Sequence, residues 1–109
     1  KSIVFSGEEG AVIVITSGSN KVERKRKLKR ILGFKLGMAS PDYVLENTGY
    51  AVGGVPPFGH TCPVTVLMDE DLMQYDLVWG AAGTPQTVFP IAPEKLREVS
   101  GAKLGDVKQ

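Results

Sequence analysis

Hydrophobic and polar positions alternate or cluster in short runs along this chain, and no apolar stripe is long enough for an extended helix. Lys1 to Phe5 and Ala11 to Thr16 are β-branched runs separated by the turn-forming cluster Ser6-Gly7-Glu8-Glu9-Gly10, which predicts a β-hairpin. After the loop Ser17-Gly18-Ser19-Asn20, strong helix formers with a narrow stripe at Leu28, Ile31 and Leu32 predict a helix over 21–32, capped by Asn20 and stopped by Gly33. Ser40-Pro41-Asp42 places a cap ahead of a first-turn proline, so a short helix is expected to about Asn47, ended at Thr48-Gly49.

Between Gly49 and Pro63 the chain carries Gly49, Gly53, Gly54, Pro56, Pro57, Gly59 and Pro63, too many breakers for a regular element. A shaped loop is expected there. Val64 to Met68 then reads as a buried strand, and Asp69-Glu70-Asp71 as the cap of a one-turn helix through Leu72 and Met73. Leu77 to Trp79 and Thr87 to Phe89 read as strands around the small-residue turn Gly80 to Pro85. A helix opens at Ala92-Pro93-Glu94 and stops at Gly101, and Leu104 to Val107 makes a last short strand. Short connections between neighbouring elements point to an α/β domain with a mixed, largely antiparallel sheet and short flanking helices.

Composition narrows the classes. At 109 residues, 42% hydrophobic and 23% charged, the chain has the make-up of one globular domain able to hold a core without staples. One cysteine, Cys62, excludes an intramolecular disulfide and a four-cysteine zinc site, and fits a reducing, cytoplasmic setting. Cys62 itself reads as a small core residue. No apolar run approaches the ~20 residues of a membrane span. The chain opens at Lys1 without an initiator methionine and runs straight into a strand, so a missing N-terminal segment is expected.

The net charge of +1 conceals segregation: eight of the 13 basic side chains and one of the 12 acids fall within Lys21 to Lys35. Such a patch is either a solvated helix face or a polyanion-binding surface. Among residues with chemical potential, paired Gly53 and Gly54 can admit a ligand to the backbone and expose N–H groups, with Pro56-Pro57 stiffening the loop; a purely structural turn is the alternative. His60 is the single histidine, which rules out metal sites built on several. Asp69 either caps the following helix or faces a cleft. Tyr50, Phe58 and Trp79 either pack in the core or stack a base.

Taken in order, Met38-Ala39-Ser40-Pro41, Thr48-Gly49-Tyr50, Gly53-Gly54-Val55-Pro56-Pro57-Phe58-Gly59-His60, the strand end at Asp69, Trp79-Gly80-Ala81-Ala82-Gly83 and Pro93-x-x-Leu96 resemble the YbaK/prolyl-tRNA synthetase-associated domain family. Lys1-Ser2-Ile3-Val4-Phe5 resembles the family strand that begins with a functional lysine, preceded in the family by a helical segment. The resemblance covers nearly all of residues 1–109. It implies a mixed sheet curled into a barrel-like core, and an aminoacyl-tRNA deacylase that hydrolyses the ester of mischarged tRNA, free-standing or attached to prolyl-tRNA synthetase. It calls for no cofactor and no metal.

On that resemblance Lys1 and Gly54 are the expected catalytic positions. Lys1 would polarise the carbonyl, the Gly53-Gly54 backbone would hold the ester and terminal adenosine, and a tRNA ribose hydroxyl would activate the attacking water. Val55, Pro56, Phe58, Gly59, His60, Asp69 and Gly80 would bind substrate, and Lys25, Lys27 and Lys29 would contact tRNA phosphates. The alternatives are a catalytically silent tRNA-binding or synthetase-associated module, and a small-nucleotide-binding domain.

Overall fold

The structure, a computed structural model, describes Lys1–Gln109 throughout. The chain runs β1 (Ser2–Gly7), β2 (Gly10–Ile15), a π-type turn at Arg24–Leu28 leading into α1 (Lys29–Leu32), β3 (Gly37–Met38) and α2 (Pro41–Thr48). It continues through β4 (Thr65–Asp69), a 3₁₀ turn at Glu70–Gln74, β5 (Val78–Ala81), β6 (Val88–Ile91), α3 (Pro93–Ser100) and β7 (Lys103–Gly105).

β1 and β2 form the expected hairpin, with Phe5 opposite Val12 and Ser2 opposite Ile15. The five-stranded sheet has the order β3-β1-β2-β4-β7, with β4 parallel to β2 and β7 parallel to β4. β5 and β6 make a separate antiparallel pair. Neither sheet closes, which corrects the barrel: the outermost strands β3 and β7, two and three residues long, pair on one side only. Two of the four joins in the main sheet are parallel, more than adjacent-element spacing foretold. The strands that pair are separated in sequence by helices, turns and the Gly/Pro loop, which supply the crossover length that parallel pairing needs.

Apolar side chains cover both faces of this sheet. Ala11, Ile13 and Ile15 of β2 pack with Val44, Met68 and Leu96 on one face, whereas Val12 and Val14 pack with Leu28, Leu67 and Val107 on the other. Two-sided burial explains why Ala11–Ile15 is an unbroken apolar run rather than an alternating one. Each fully buried Ile13, Leu28 or Leu67 contributes about 1.5–3 kcal/mol.

Local helix signals held at α2, where Ser40 Oγ accepts from Tyr43 N and Gly49 ends the helix at φ +85°. Over 21–32 they held in part: Arg24–Leu32 is helical and Gly33 ends it at φ +84°, whereas residues 21–23 lie outside the helix. Val22 bridges to Lys108 as an isolated strand pair, and the turn is capped by Glu23, whose carboxylate accepts from Arg26 N at 3.0 Å and Lys27 N at 2.6 Å. Those backbone hydrogen bonds hold the Glu23 carboxyl below the usual range. Asn20, expected as the cap, turns its amide to Asp69 and Asp71 instead.

Asp71 also accepts from Lys108 Nζ at 2.6 Å. The Lys108 hydrogen bond first, and that of Asn20 second, lower the Asp71 carboxyl, while Asp71 raises Lys108. A lowered acid stabilises the fold above its unfolded pKa, about 3.9, and loses that contribution as pH falls through the lowered value; a raised ammonium stabilises below about 10.4 and loses it as pH rises through the raised one. Asp71→Asn is therefore expected to lower the melting temperature modestly at neutral pH and to flatten its decline below about pH 4. Thermal melts across the acid range check this.

Candidate active site

β2, β4 and β7 run in one direction, so their carboxyl ends share an edge of the sheet, and β1 begins beside the end of β2. Open α/β sheets bind ligands in crevices at such ends. A cavity of about 270 Å³ lies here, walled by Thr16, Ser17 and Gly18 leaving β2, Pro57 of the Gly/Pro loop, and Trp79 and Gly80 of β5. Leu72 and Leu96 also contribute to it, and Lys1 stands at its edge. Lys1 is held by a reciprocal pairing with Thr16: its α-nitrogen donates to Thr16 O at 2.6 Å, and Thr16 N donates to Lys1 O at 2.9 Å. Lys1 is the sole charged residue among those that line the cavity.

Beneath this wall sits Asp69, with no solvent exposure. Its Oδ2 accepts from Thr16 Oγ1 at 3.2 Å and Asn20 Nδ2 at 2.9 Å, and its Oδ1 accepts from Asp71 N at 3.0 Å. Of the two roles open from sequence, the carboxylate takes the cap. It ties the start of the 3₁₀ turn to the chain leaving β2, and it does not line the cavity.

The Gly/Pro loop is zipped to the turn after β5. Gly54 N donates to Ala51 O at 2.9 Å, and Gly54 O accepts from Gly83 N at 3.1 Å. Gly53 carries the left-handed backbone, at φ +88°. A Cβ on Gly54 would stand 2.9 Å from Thr84 Cα and 3.1 Å from Gly83 C, so the close approach that requires glycine is made by this chain's own backbone. With its N–H spent on Ala51, Gly54 offers no donor to an ester. Gly54→Ala is accordingly expected to destabilise the fold by roughly 1–3 kcal/mol, the range for an overpacked site, with turnover per folded molecule retained. Denaturant titration with activity normalised to the folded fraction checks it.

The remaining expected positions divide. Lys1 and Gly80 meet at the cavity, whereas Pro56, Phe58 and Gly59 line a separate shallow groove with Tyr50 and Phe89. Phe58 meets Phe89 edge-on, with ring centroids 5.9 Å apart. Val55 is buried in the core. His60 Nε2 donates to Pro56 O at 2.6 Å, a bond that bridges the loop. Cys62, expected inside, is exposed, and Trp79 is 61% exposed rather than packed in the core. Lys25 and Lys29 are exposed, but Lys27 is engaged, its ammonium meeting Asp106 at 2.9 Å and Lys108 O at 2.6 Å. Thr16, Ser17, Gly18, Leu72 and Leu96 were not anticipated as lining. The one local signal for them was a Ser-Gly loop directly after a buried strand.

A family model for the aminoacyl-tRNA editing domain matches residues 1–99. The chain belongs to that family. This editing domain is 35% identical over 105 residues to the Bacillus subtilis protein YwhH, a match spanning 95% of the chain and 66% of YwhH. It is 38% identical over 60 residues to a proline–tRNA ligase of Thermosipho melanesiensis, covering 54% of the chain and 10% of the ligase. A solved structure described as a candidate trans-editing enzyme for prolyl tRNA synthetase superposes with a TM-score of 0.95 at 44% identity, over 100% of the editing domain and 69% of that chain. The editing domain thus spans just under two thirds of YwhH and about a tenth of the ligase.

Proposed function

We propose that residues 1–109 act as one editing unit that hydrolyses the ester of a mischarged aminoacyl-tRNA. The observation that carries this reading is the cavity at the ends of β2 and β4, with Lys1, its main chain tied to Thr16, at its edge in a chain of the editing family. No cysteine lines the cavity, the Thr16 hydroxyl is donated to buried Asp69, and the Ser2 and Ser17 hydroxyls that do line it have no histidine or carboxylate among the lining residues to activate them. These features support a mechanism of binding and electrostatics over one using a protein nucleophile.

In this mechanism the aminoacyl group enters the cavity and the Lys1 ammonium stabilises the charge that develops on the ester oxygen as water attacks. The leaving ribose hydroxyl belongs to the substrate, and a neighbouring ribose hydroxyl orients the water. Lys25 and Lys29 face solvent, free to meet tRNA phosphates, and Lys27 is left out because Asp106 already neutralises it.

Incubation with a panel of tRNAs charged with Ala, Cys, Ser or Thr, with chelator present, is the test. Release of at least one of these amino acids is expected. Inertness toward all four would leave a silent tRNA-binding module in place of a hydrolase.

A further inference from the structure

The most deeply buried part of the cavity lining is apolar. Ile15 at the end of β2, Leu72 of the 3₁₀ turn and Leu96 of α3 all line it, and all three belong to the core cluster on that face of the sheet, at 5%, 4% and 1% exposure. This wall is fixed by the chain's own packing, whatever lies at the mouth. The hydroxyls of the two residues that follow Ile15 are already committed. Thr16 Oγ1 donates to Asp69, and Ser17 Oγ accepts from Asn20 N at 3.1 Å and meets Ser19 Oγ at 3.1 Å.

We propose that Ile15, Leu72 and Leu96 set the side-chain specificity of the site, accepting an aliphatic side chain and discriminating against its hydroxylated isostere. An apolar group placed against this wall leaves water and gains contacts, whereas a hydroxyl of the same size gives up its water and finds no partner in the wall, in Thr16 or in Ser17. An apolar pocket of this kind disfavours an added hydroxyl by up to ~10²-fold. Ser2 stands opposite Ile15 in the hairpin and also lines the cavity, so it is the residue that the reverse preference would invoke. That the occupant is an aminoacyl group rests on the hydrolase reading, whereas the preference is read by binding and needs no turnover.

The test is calorimetric titration of the intact protein with 3′-aminoacylamino-3′-deoxyadenosines, in which an amide replaces the labile ester. Two isosteric pairs are compared, 2-aminobutyryl against seryl and valyl against threonyl, each differing by a methyl for a hydroxyl. The apolar member of each pair is expected to bind roughly 10–100-fold more tightly. Ile15→Thr puts a hydroxyl into the wall and keeps the β-branched shape, and is expected to shrink that ratio about fivefold, the worth of one hydrogen bond. Val99→Thr, at an exposed position of α3 outside the cavity lining, is expected to leave the ratio as it is. A ratio within one pair does not move with a general loss of stability, and thermal melts confirm that each variant is folded. The wild-type ratios decide the proposal even if Ile15→Thr does not fold.

Equal affinities within the pairs would overturn the proposal, as would failure of all four analogues to bind. So would a preference for the hydroxylated members, whose loss in Ser2→Ala would trace it to that hydroxyl. Any of these results in a protein that releases amino acids from mischarged tRNA defeats the apolar wall and leaves the hydrolase standing. Apolar preference in a protein that deacylates none of the mischarged tRNAs defeats the hydrolase alone.

Discussion

Replacing Lys1 by Ala in the intact protein is expected to lower kcat for deacylation by about 10²–10³-fold, the usual loss when one preorganised electrostatic donor is removed. The melting temperature is expected to hold. Lys1 is exposed, and what fixes its place is main-chain pairing with Thr16, which a truncated side chain keeps. Steady-state kinetics separates two roles for the ammonium. An interaction made in the transition state lowers kcat and kcat/KM together when removed, whereas general attraction of tRNA raises KM at constant kcat. A pure KM effect would reassign Lys1 to general attraction of tRNA and leave the cavity without a catalytic cation.

Asp69→Ala carries the largest expected loss of stability. The substitution removes the cap of the 3₁₀ turn and strands the Thr16 hydroxyl, which is buried, together with one partner of the Asn20 amide. A missing cap costs about 0.5–2 kcal/mol and a stranded buried donor about 1–3 kcal/mol, so a total on the order of 3 kcal/mol is expected. At roughly 4–8 °C per kcal/mol for a domain near this size, the melting temperature should fall by at least about 10 °C. Asp69→Asn keeps an oxygen acceptor and the shape, and is expected to lose less. Because Asp69 holds the chain that walls the cavity, surviving Asp69→Ala molecules are expected to show raised KM. If Asp69→Ala melted like wild type, the carboxylate would not be the tie described.

Sequence determined the features whose causes lie within a few residues. Ser40-Pro41, Ala92-Pro93, Gly49 and Gly101 bound α2 and α3 where expected, because a cap, a proline and a left-handed glycine act on the backbone beside them. The hairpin of β1 and β2 was legible because its turn is local, and the order of motifs along the chain was enough to name the family. Tertiary structure decided whatever depends on partners far away in sequence. Asn20 abandoned a cap for Asp69, 49 residues on, and Lys27 left the basic face for Asp106, 79 residues on. A Cβ on Gly54 would meet the backbone of Thr84, a contact with a segment far along the chain. Strand order follows the same rule: β2 meets β4 only after the intervening loop has closed, so short-range spacing could neither reveal the parallel joins nor show that the sheet stays open. A cavity is built where such distant segments converge, and its lining is therefore the part of this protein that the linear pattern conceals.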